Sequence, residues 1–149
     1  MHKQSLYLEA QELLQQLIAI PSFSREEDQT AAIMATFLQS KGVSVQRKLN
    51  NVWAFNKHYD AALPTLLLNS HHDTVKPNTG YTRDPFAATV ADGKLYGLGS
   101  NDAGGCLVSL LMTFLYFYEQ GGLRYNLAFA ATAEEEISGR NGLELILPE

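Results

Sequence analysis

Cysteine is almost absent from the sequence, since Cys106 is the single thiol among 149 residues. One thiol cannot form an internal disulfide, so a disulfide-stabilised secreted scaffold is excluded and a reducing compartment is favoured. Long apolar runs are also missing, because residues 106–118 are too few for a membrane-spanning helix. The start of the chain lacks the apolar core and cleavage site of a secretory signal. We therefore predict a cytoplasmic protein with no membrane partner.

Basic residues are few and scattered. Eleven Lys and Arg stand against 16 Asp and Glu, which gives a formal net charge of -5. Without a basic cluster, a nucleic-acid or acidic-membrane partner is not expected. Repeats, low-complexity tracts and linkers are absent from the sequence, and 46% of the residues are hydrophobic. One domain with a real core is the prediction.

Two helices are predicted in the first third of the chain. Apolar residues recur at the spacing of one helical face over residues 6–18, and Pro21 marks the end of that helix. Ser24 and Glu27 have the pattern of a capping box for a second helix, which should end at Gly42.

Strands and loops follow. Residues 43–48 and 52–56 are predicted to form two strands with a turn at Asn50-Asn51, and Asp92-Gly93 indicates a second, short hairpin. Residues 76–86 are rich in turn-forming types and should form a long loop over the site.

Two apolar runs predict the centre of the sheet. Residues 66–75 begin as a leucine strand, expected to be buried on both faces, and residues 127–132 form a second buried strand. Between them, residues 107–118 predict a helix buried nearly all round. This order predicts an α/β fold with a mixed, mainly parallel sheet flanked by helices.

Histidine and carboxylates stand at the ends of these apolar elements. His71 and Asp73 point the same way from an extended chain, so they can act together, whereas His72 points away. Asp102 lies in a glycine-lined loop before the apolar helix, and the acids at 134–136 follow the second buried strand. At least one of these acids should point inward. This set of donors suits a divalent metal ion, and zinc is the first candidate.

Each group also has a simpler interpretation. His71 could only form hydrogen bonds in a loop, and Asp102 could be an ordinary helix N-cap. Gly97-Leu98-Gly99 is similar to part of a dinucleotide-binding loop, but Asp102 stands where its third glycine belongs. Cys106 could be a nucleophile, although it lacks a basic neighbour and its helix is predicted to be buried, which favours a structural role. The remaining histidines are interpreted as structural or solvated: His2, His58 and His72.

Three ordered motifs resemble those of the M20 metallopeptidase and deacylase family, and the chain is identified as a member on that basis. Ile20-Pro21-Ser22 is similar to the family's N-terminal signature, and Arg83-Asp84-Pro85-Phe86 to its substrate-side loop. The three motifs are Ser70-His71-His72-Asp73-Thr74-Val75, Tyr96-Gly97-Leu98-Gly99-Ser100-Asn101-Asp102-Ala103-Gly104-Gly105 and Thr132-Ala133-Glu134-Glu135-Glu136.

The resemblance implies a role for each site residue. His71 and Glu136 become metal ligands, and Asp102 bridges two divalent ions, zinc or alternatively cobalt. Asp73 orients His71, and Glu135 becomes the general base. A cis peptide bond between Asp102 and Ala103 is also implied.

The resemblance further implies hydrolysis of an N-acyl amino acid by a protein that can form a homodimer. Residues 73–75 and 131–136 are most similar to the acetylornithine deacetylase branch, which would place the activity in arginine biosynthesis. A succinyl-diaminopimelate desuccinylase or an M20 dipeptidase or carboxypeptidase is the alternative within the class.

The family also has a further acidic ligand, a final histidine ligand and an inserted lid domain, for which this sequence has no counterpart. We therefore expect residues 1–149 to be the N-terminal portion of a single catalytic domain, inactive by itself. The alternative of another class is a catalytically silent fragment or interaction module that keeps the fold.

Overall fold

The computed structural model describes residues 3–147. Short helical turns lie at Ser100–Gly105, Glu135–Ile137 and Leu143–Leu145. The described helices are α1 (Lys3–Ile18), α2 (Asp28–Ser40) and α3 (Cys106–Phe117). The described strands are β1 (Gln46–Lys48), β2 (Asn51–Phe55), β3 (Thr65–His71), β4 (Thr89–Ala91), β5 (Lys94–Tyr96) and β6 (Asn126–Thr132).

β6 is an inner strand of a four-stranded sheet with the order β1-β2-β6-β3. β3 pairs with β6 in parallel over its whole length, from Thr65 opposite Asn126 to His71 opposite Thr132. Because parallel strands end at the same edge of a sheet, the segments that follow His71 and Thr132 leave the sheet side by side.

The prediction of a mixed sheet flanked by helices is confirmed. The expectation that it is mainly parallel is not met, because β2 pairs with both β1 and β6 in antiparallel orientation. The β1–β2 hairpin adds to the side of β6 opposite β3, so one of the three pairings in the described sheet is parallel.

The prediction that the leucine strand is buried on both faces is wrong. Within residues 3–147, β3 has a strand partner on one side, and Leu66 keeps 51% of its surface exposed. Burial increases toward the end of the strand, where Ser70 and His71 are covered. β6 is the strand that is buried at every position.

Helix α3 is also less buried than its apolar sequence predicts. One stripe faces solvent and carries Cys106, Ser109, Thr113 and Tyr116. Ser109 and Thr113 donate their hydroxyl hydrogens to carbonyls one turn earlier, at 2.7 and 2.8 Å. Cys106 is exposed, so the prediction of a cysteine on a buried helix is wrong.

The predicted hairpins are present with one shift. β4 and β5 flank Asp92-Gly93, whose φ angles of 52° and 71° are those of a tight primed turn. The β1–β2 turn consists of Leu49 and Asn50, one residue earlier than predicted, because Lys48 pairs with Asn51.

The core lies between the sheet and the helices. α3 packs on β3 and β6, α1 packs on α3, and α2 contacts β2. Phe114 and Phe129 have ring centroids 6.0 Å apart at its centre, and burial of each such side chain contributes roughly 1.5 to 3 kcal/mol. No helix within residues 3–147 has the length and apolarity needed to cross a membrane.

The capping-box prediction at α2 is wrong. The helix begins at Asp28, and no side chain caps it. Ser24 bonds to the carboxylate of Asp73, and Glu27 bonds to the backbone of Arg25 and Glu134 instead. Both side chains therefore connect this loop to the functional site rather than to the helix that follows.

Candidate metal centre

His71 ends β3 with its imidazole held in one orientation. Nδ1 lies 3.0 Å from the carbonyl oxygen of Asp73 and 3.4 Å from its carboxylate Oδ1. Both atoms are acceptors, so Nδ1 carries a hydrogen and Nε2 is left for other partners. The hydrogen bond with the Asp73 carboxylate is the main cause that raises the pKa of His71 to about 9.

Asp73 is fully buried and joins two segments of the chain. Its Oδ1 accepts the backbone N–H of Glu135, and its Oδ2 accepts that of Glu136, each at 3.1 Å. Ser24 Oγ donates a further hydrogen bond to Oδ2 at 2.7 Å. Burial by itself would raise the pKa of Asp73, but the hydrogen bonds from His71, Ser24 and the two amides lower it to about 2.

Asp102 lies in the turn before α3, and 78% of its side chain is exposed. Its Oδ1 is 3.2 Å from His71 Nε2. The Asp102–Ala103 peptide bond is cis, as the family resemblance implies. No side chain caps α3, so Asp102 is not its N-cap. The turn is tight, since a Cβ on Gly104 would lie 2.6 Å from the carbonyl oxygen of Gly99.

The three consecutive acids after β6 have different surroundings. Glu134 is buried at a φ of 54°, which confirms that one acid points inward, and its Oε1 accepts a hydrogen bond from Asn141 at 2.9 Å. The Glu135 side chain is 60% exposed, with Oε2 3.6 Å from His71 Nε2. The pKa of Glu136 is raised, mainly by burial and next by the negative charge of Asp102.

One ligand atom from each of His71, Asp102 and Glu136 lies within 4.8 Å of the other two. Tetrahedral zinc at roughly 2.0 to 2.2 Å from its donors needs those donors about 3.3 to 3.6 Å apart, so the three side chains must close in where their atoms lie near the 4.8 Å limit. One imidazole and two carboxylates form a donor set that zinc accepts, and Asp73 holds Nδ1–H so that Nε2 faces the two carboxylates. Because the pKa of His71 is raised to about 9, a metal that binds Nε2 must displace its proton. The residues therefore fit a divalent cation, while their roles as ligands stay a prediction.

The segment after α1 supports this site. Thr74 donates its backbone N–H to the carbonyl of Ser22 at 2.8 Å, and Ser22 Oγ donates to the carbonyl of His72 at 2.9 Å. Ser22 and Ser24 thus run beside residues 72–74. The roles of Ser24 and Glu27 at the site were missed, and the Ile20-Pro21-Ser22 match was the one signal that pointed to this segment.

The other histidines behave as predicted where the structure describes them. His72 is buried, and its Nε2 donates to the carbonyl of Asn50 at 2.9 Å, while Nδ1 lies 2.8 Å from the hydroxyl of Thr30. Burial lowers the pKa of His72, which keeps the ring neutral and structural. His58 is exposed, and His2 lies outside the described residues.

The sequence itself matches a known family. The sequence model of peptidase family M20/M25/M40 covers residues 67–148, which is more than half of the chain. The chain belongs to this family. The matched range contains all three motifs, including His71, Asp102 and Glu136, so the resemblance inferred from them is confirmed.

A curated relative matches most of this chain and extends well beyond it. Succinyl-diaminopimelate desuccinylase from Blochmanniella floridana is 32% identical over 143 residues, which are 91% of this chain and 37% of that enzyme. The chain therefore spans little more than a third of the length of that relative.

Solved structures of peptidases share the fold. Human carnosine dipeptidase 1 superposes on 96% of this chain with a TM-score of 0.71 and 24% identity, over 36% of its own length. A dinuclear metal-binding peptidase from Bacillus subtilis superposes on 94% with a TM-score of 0.69 and 19% identity, over 38% of its length. Likeness at this identity supports the mixed sheet flanked by helices and says nothing of substrate.

Proposed function

We propose that this chain is the metal-binding N-terminal portion of the catalytic domain of a metal-dependent amide hydrolase. The observation that carries the proposal is the convergence of donor atoms from His71, Asp102 and Glu136 within 4.8 Å, at the end of two parallel strands. Membership of the M20/M25/M40 family supports a hydrolase, and the 37% coverage of the desuccinylase supports a longer protein.

Two divalent ions would be held here, with Asp102 between them and His71 and Glu136 on either side. The bridging role suits Asp102, because most of its side chain is exposed and its Oδ1 already lies 3.2 Å from His71 Nε2. Zinc is favoured by the mixture of imidazole and carboxylate donors, and cobalt accepts the same set. When bound, such ions act as Lewis acids that polarise a carbonyl group and acidify water.

Glu135 is proposed as the general base. Its carboxylate is exposed next to His71 Nε2, so water and substrate can reach it. It would take a proton from the attacking water and return it to the departing amine. Its backbone amide is held by Asp73, which therefore orients both His71 and the segment that carries the base.

The proposed substrate is an N-acyl amino acid. The motif residues favour an acetyl group on ornithine, as in arginine biosynthesis, whereas the 32% identity to a succinyl-diaminopimelate desuccinylase favours a succinyl group. A dipeptide is the third candidate, because the family resemblance leaves an M20 dipeptidase or carboxypeptidase as an alternative within the class. The single cysteine suits a cytoplasmic enzyme, and a homodimer is consistent with the family resemblance.

Release of amine from each of these three substrates would test the proposal. The assay uses the longer protein that contains this chain, with zinc or cobalt added. Glu135→Ala should lower kcat by roughly 100-fold or more, the scale of general acid–base catalysis, and leave the metal content unchanged. Glu144→Ala, another exposed acid, is the matched control. Metal binding without hydrolysis of any of the three would favour a silent module that keeps the fold.

A further inference from the structure

The side chain of Glu27 is fully buried, although it lies beside the start of a helix, where polar side chains are usually solvated. No salt bridge within residues 3–147 involves it. Burying a carboxylate costs a great deal unless hydrogen bonds replace its water. Its position therefore requires donors from the protein, and those donors indicate what the residue does.

Three N–H groups replace this water. Oε1 accepts the backbone N–H of Arg25 at 2.7 Å and that of Glu134 at 3.2 Å. Oε2 accepts the side-chain amide of Asn50 at 2.8 Å. Hydrogen bonds to a charged acceptor are the stronger kind. The Glu27 carboxylate thus connects the loop before α2, the β1–β2 turn and the end of β6.

The contact with Glu134 is the important one, because the turn that follows β6 carries the candidate base and a candidate ligand. Glu134 has a φ of 54°, an uncommon conformation for a residue with a side chain. The next two amides, of Glu135 and Glu136, both donate to Asp73. Three consecutive amides are therefore held by two buried carboxylates, and Glu27 holds the first of them.

A second path leads from Glu27 to the end of β3. Asn50 donates to Glu27, and the carbonyl of Asn50 accepts the Nε2 hydrogen of His72. His72 is the neighbour of His71 in sequence, and Thr30 holds the other nitrogen of its ring. Glu27 thus contacts one ligand-bearing segment directly and the other through Asn50.

We propose that Glu27 is a positioning residue, which fixes the turn at residues 134–136 relative to His71 so that Glu136 and His71 can share a metal site. The inference rests on the proposed metal-binding function. It predicts that the length of the Glu27 side chain affects the order of this turn and the zinc affinity more than its charge does.

Three variants at Glu27 separate the effect of side-chain length from the effect of charge. Glu27→Gln keeps the length and loses the charge, and rotation of the Asn50 amide lets it accept from the introduced glutamine. Glu27→Asp keeps the charge but is one methylene too short for its backbone donors. Glu27→Ala removes both. Met34→Ala is the control, because Met34 is fully buried on α2, the helix that follows Glu27, but has no hydrogen bond to the turn.

Two readouts are needed. The first is amide hydrogen exchange at residues 134–136 in the metal-free chain, and the second is zinc affinity measured by competition with a chromophoric chelator. Glu27→Asp and Glu27→Ala should exchange faster at these amides and bind zinc about 10- to 100-fold more weakly, the usual effect of losing a supporting hydrogen bond. Glu27→Gln and Met34→Ala should match the wild type in both amide exchange and zinc affinity, when samples with the same fraction of folded protein are compared.

Normal exchange in folded Glu27→Asp would overturn the proposal, and so would a Glu27→Gln variant as impaired as Glu27→Asp. If even the wild type holds no zinc, the proposed metal function fails. The exchange rates then decide the role of Glu27 by themselves, because they are measured without metal.

Discussion

Ser24 donates its hydroxyl hydrogen to Oδ2 of Asp73 at 2.7 Å, across 49 positions of sequence. The same oxygen accepts the backbone N–H of Glu136. A residue of the loop before α2 therefore completes the hydrogen bonds of the carboxylate that holds His71. Without it, the buried charge of Asp73 would have one donor fewer.

Ser24→Ala should consequently destabilise the chain. A hydrogen bond to a charged group contributes about 1.5 to 3 kcal/mol, so a loss of this size in the free energy of unfolding is expected. Urea denaturation measures it. Ser40→Ala is the control, because Ser40 is exposed and its hydroxyl donates to the uncharged carbonyl of Phe37. Equal losses in the two variants would contradict the importance of the Asp73 contact.

The pairing of His71 with Asp73 also predicts how stability depends on pH without metal. The pKa of Asp73 falls from 3.8 to about 2 in the folded chain, so its contribution is complete above about pH 4 and is lost as the pH drops toward 2. The pKa of His71 rises from 6.5 to about 9, so its contribution is complete below about pH 6.5 and is lost as the pH rises through 9.

Urea unfolding of the chelator-treated chain should therefore show a maximum of stability between about pH 4 and 6.5. His71→Ala should remove most of the decline on the alkaline side, while His58→Ala, a change at an exposed histidine, should leave it. An alkaline decline that persists in His71→Ala would assign it to some other group.

The positions of the candidate ligands could be predicted because each stands next to one end of an apolar run. His71 follows the leucines, residues 134–136 follow the alanine-rich strand, and Asp102 precedes the apolar helix. Parallel pairing then places the ends of β3 and β6 together. Local patterns and one rule of sheet topology were enough for these positions, but the choice of Glu136 among the three acids and the bridging role of Asp102 came from the family resemblance.

Burial and long-range hydrogen bonds were harder to predict. An apolar run shows that a strand can be buried, but pairing decides which strand is covered, and Leu66 on β3 is half exposed while β6 is buried throughout. Ser24 and Glu27 have the spacing of a capping box, yet their partners lie 49 and 107 positions away. No local pattern distinguishes these two uses of the same residues.

Cys106 should react with a thiol reagent in the folded chain. It lies on the exposed stripe of α3, so access does not require unfolding. One thiol per chain should be labelled by a maleimide under native conditions, at a rate similar to that in urea. Cys106→Ser gives the background. Labelling seen only in urea would show that the thiol is covered in solution.

The candidate ligands should differ from the candidate base in their effect on metal content. His71→Ala, Asp102→Ala and Glu136→Ala each remove one donor of the cluster and should weaken zinc binding by at least about tenfold. Glu135→Ala should bind zinc nearly as well as the wild type, because Glu135 is not one of these donors. Chelator competition measures the zinc affinity of each variant, and metal analysis measures its metal content. Equal metal loss in Glu135→Ala and Glu136→Ala would contradict the assignment of Glu136 as a ligand and Glu135 as the base.

The chain of 149 residues should not hydrolyse N-acyl amino acids by itself. Its cluster offers three donors, so with Asp102 shared, each ion of a pair would have one further protein ligand, His71 or Glu136. Catalytic zinc usually has three protein ligands and one open position. With fewer, zinc should bind weakly, and a substrate would have few groups to orient it.

Acetate release from N-acetylornithine, measured with excess zinc or cobalt, tests this expectation. The chain should give no more product than the Glu135→Ala variant, whereas a longer protein that contains it should turn over. Robust hydrolysis by the chain, abolished by Glu135→Ala and retained in Glu144→Ala, would show that His71, Asp102 and Glu136 suffice to build a working centre. That result would assign the whole of the proposed chemistry to this chain of 149 residues.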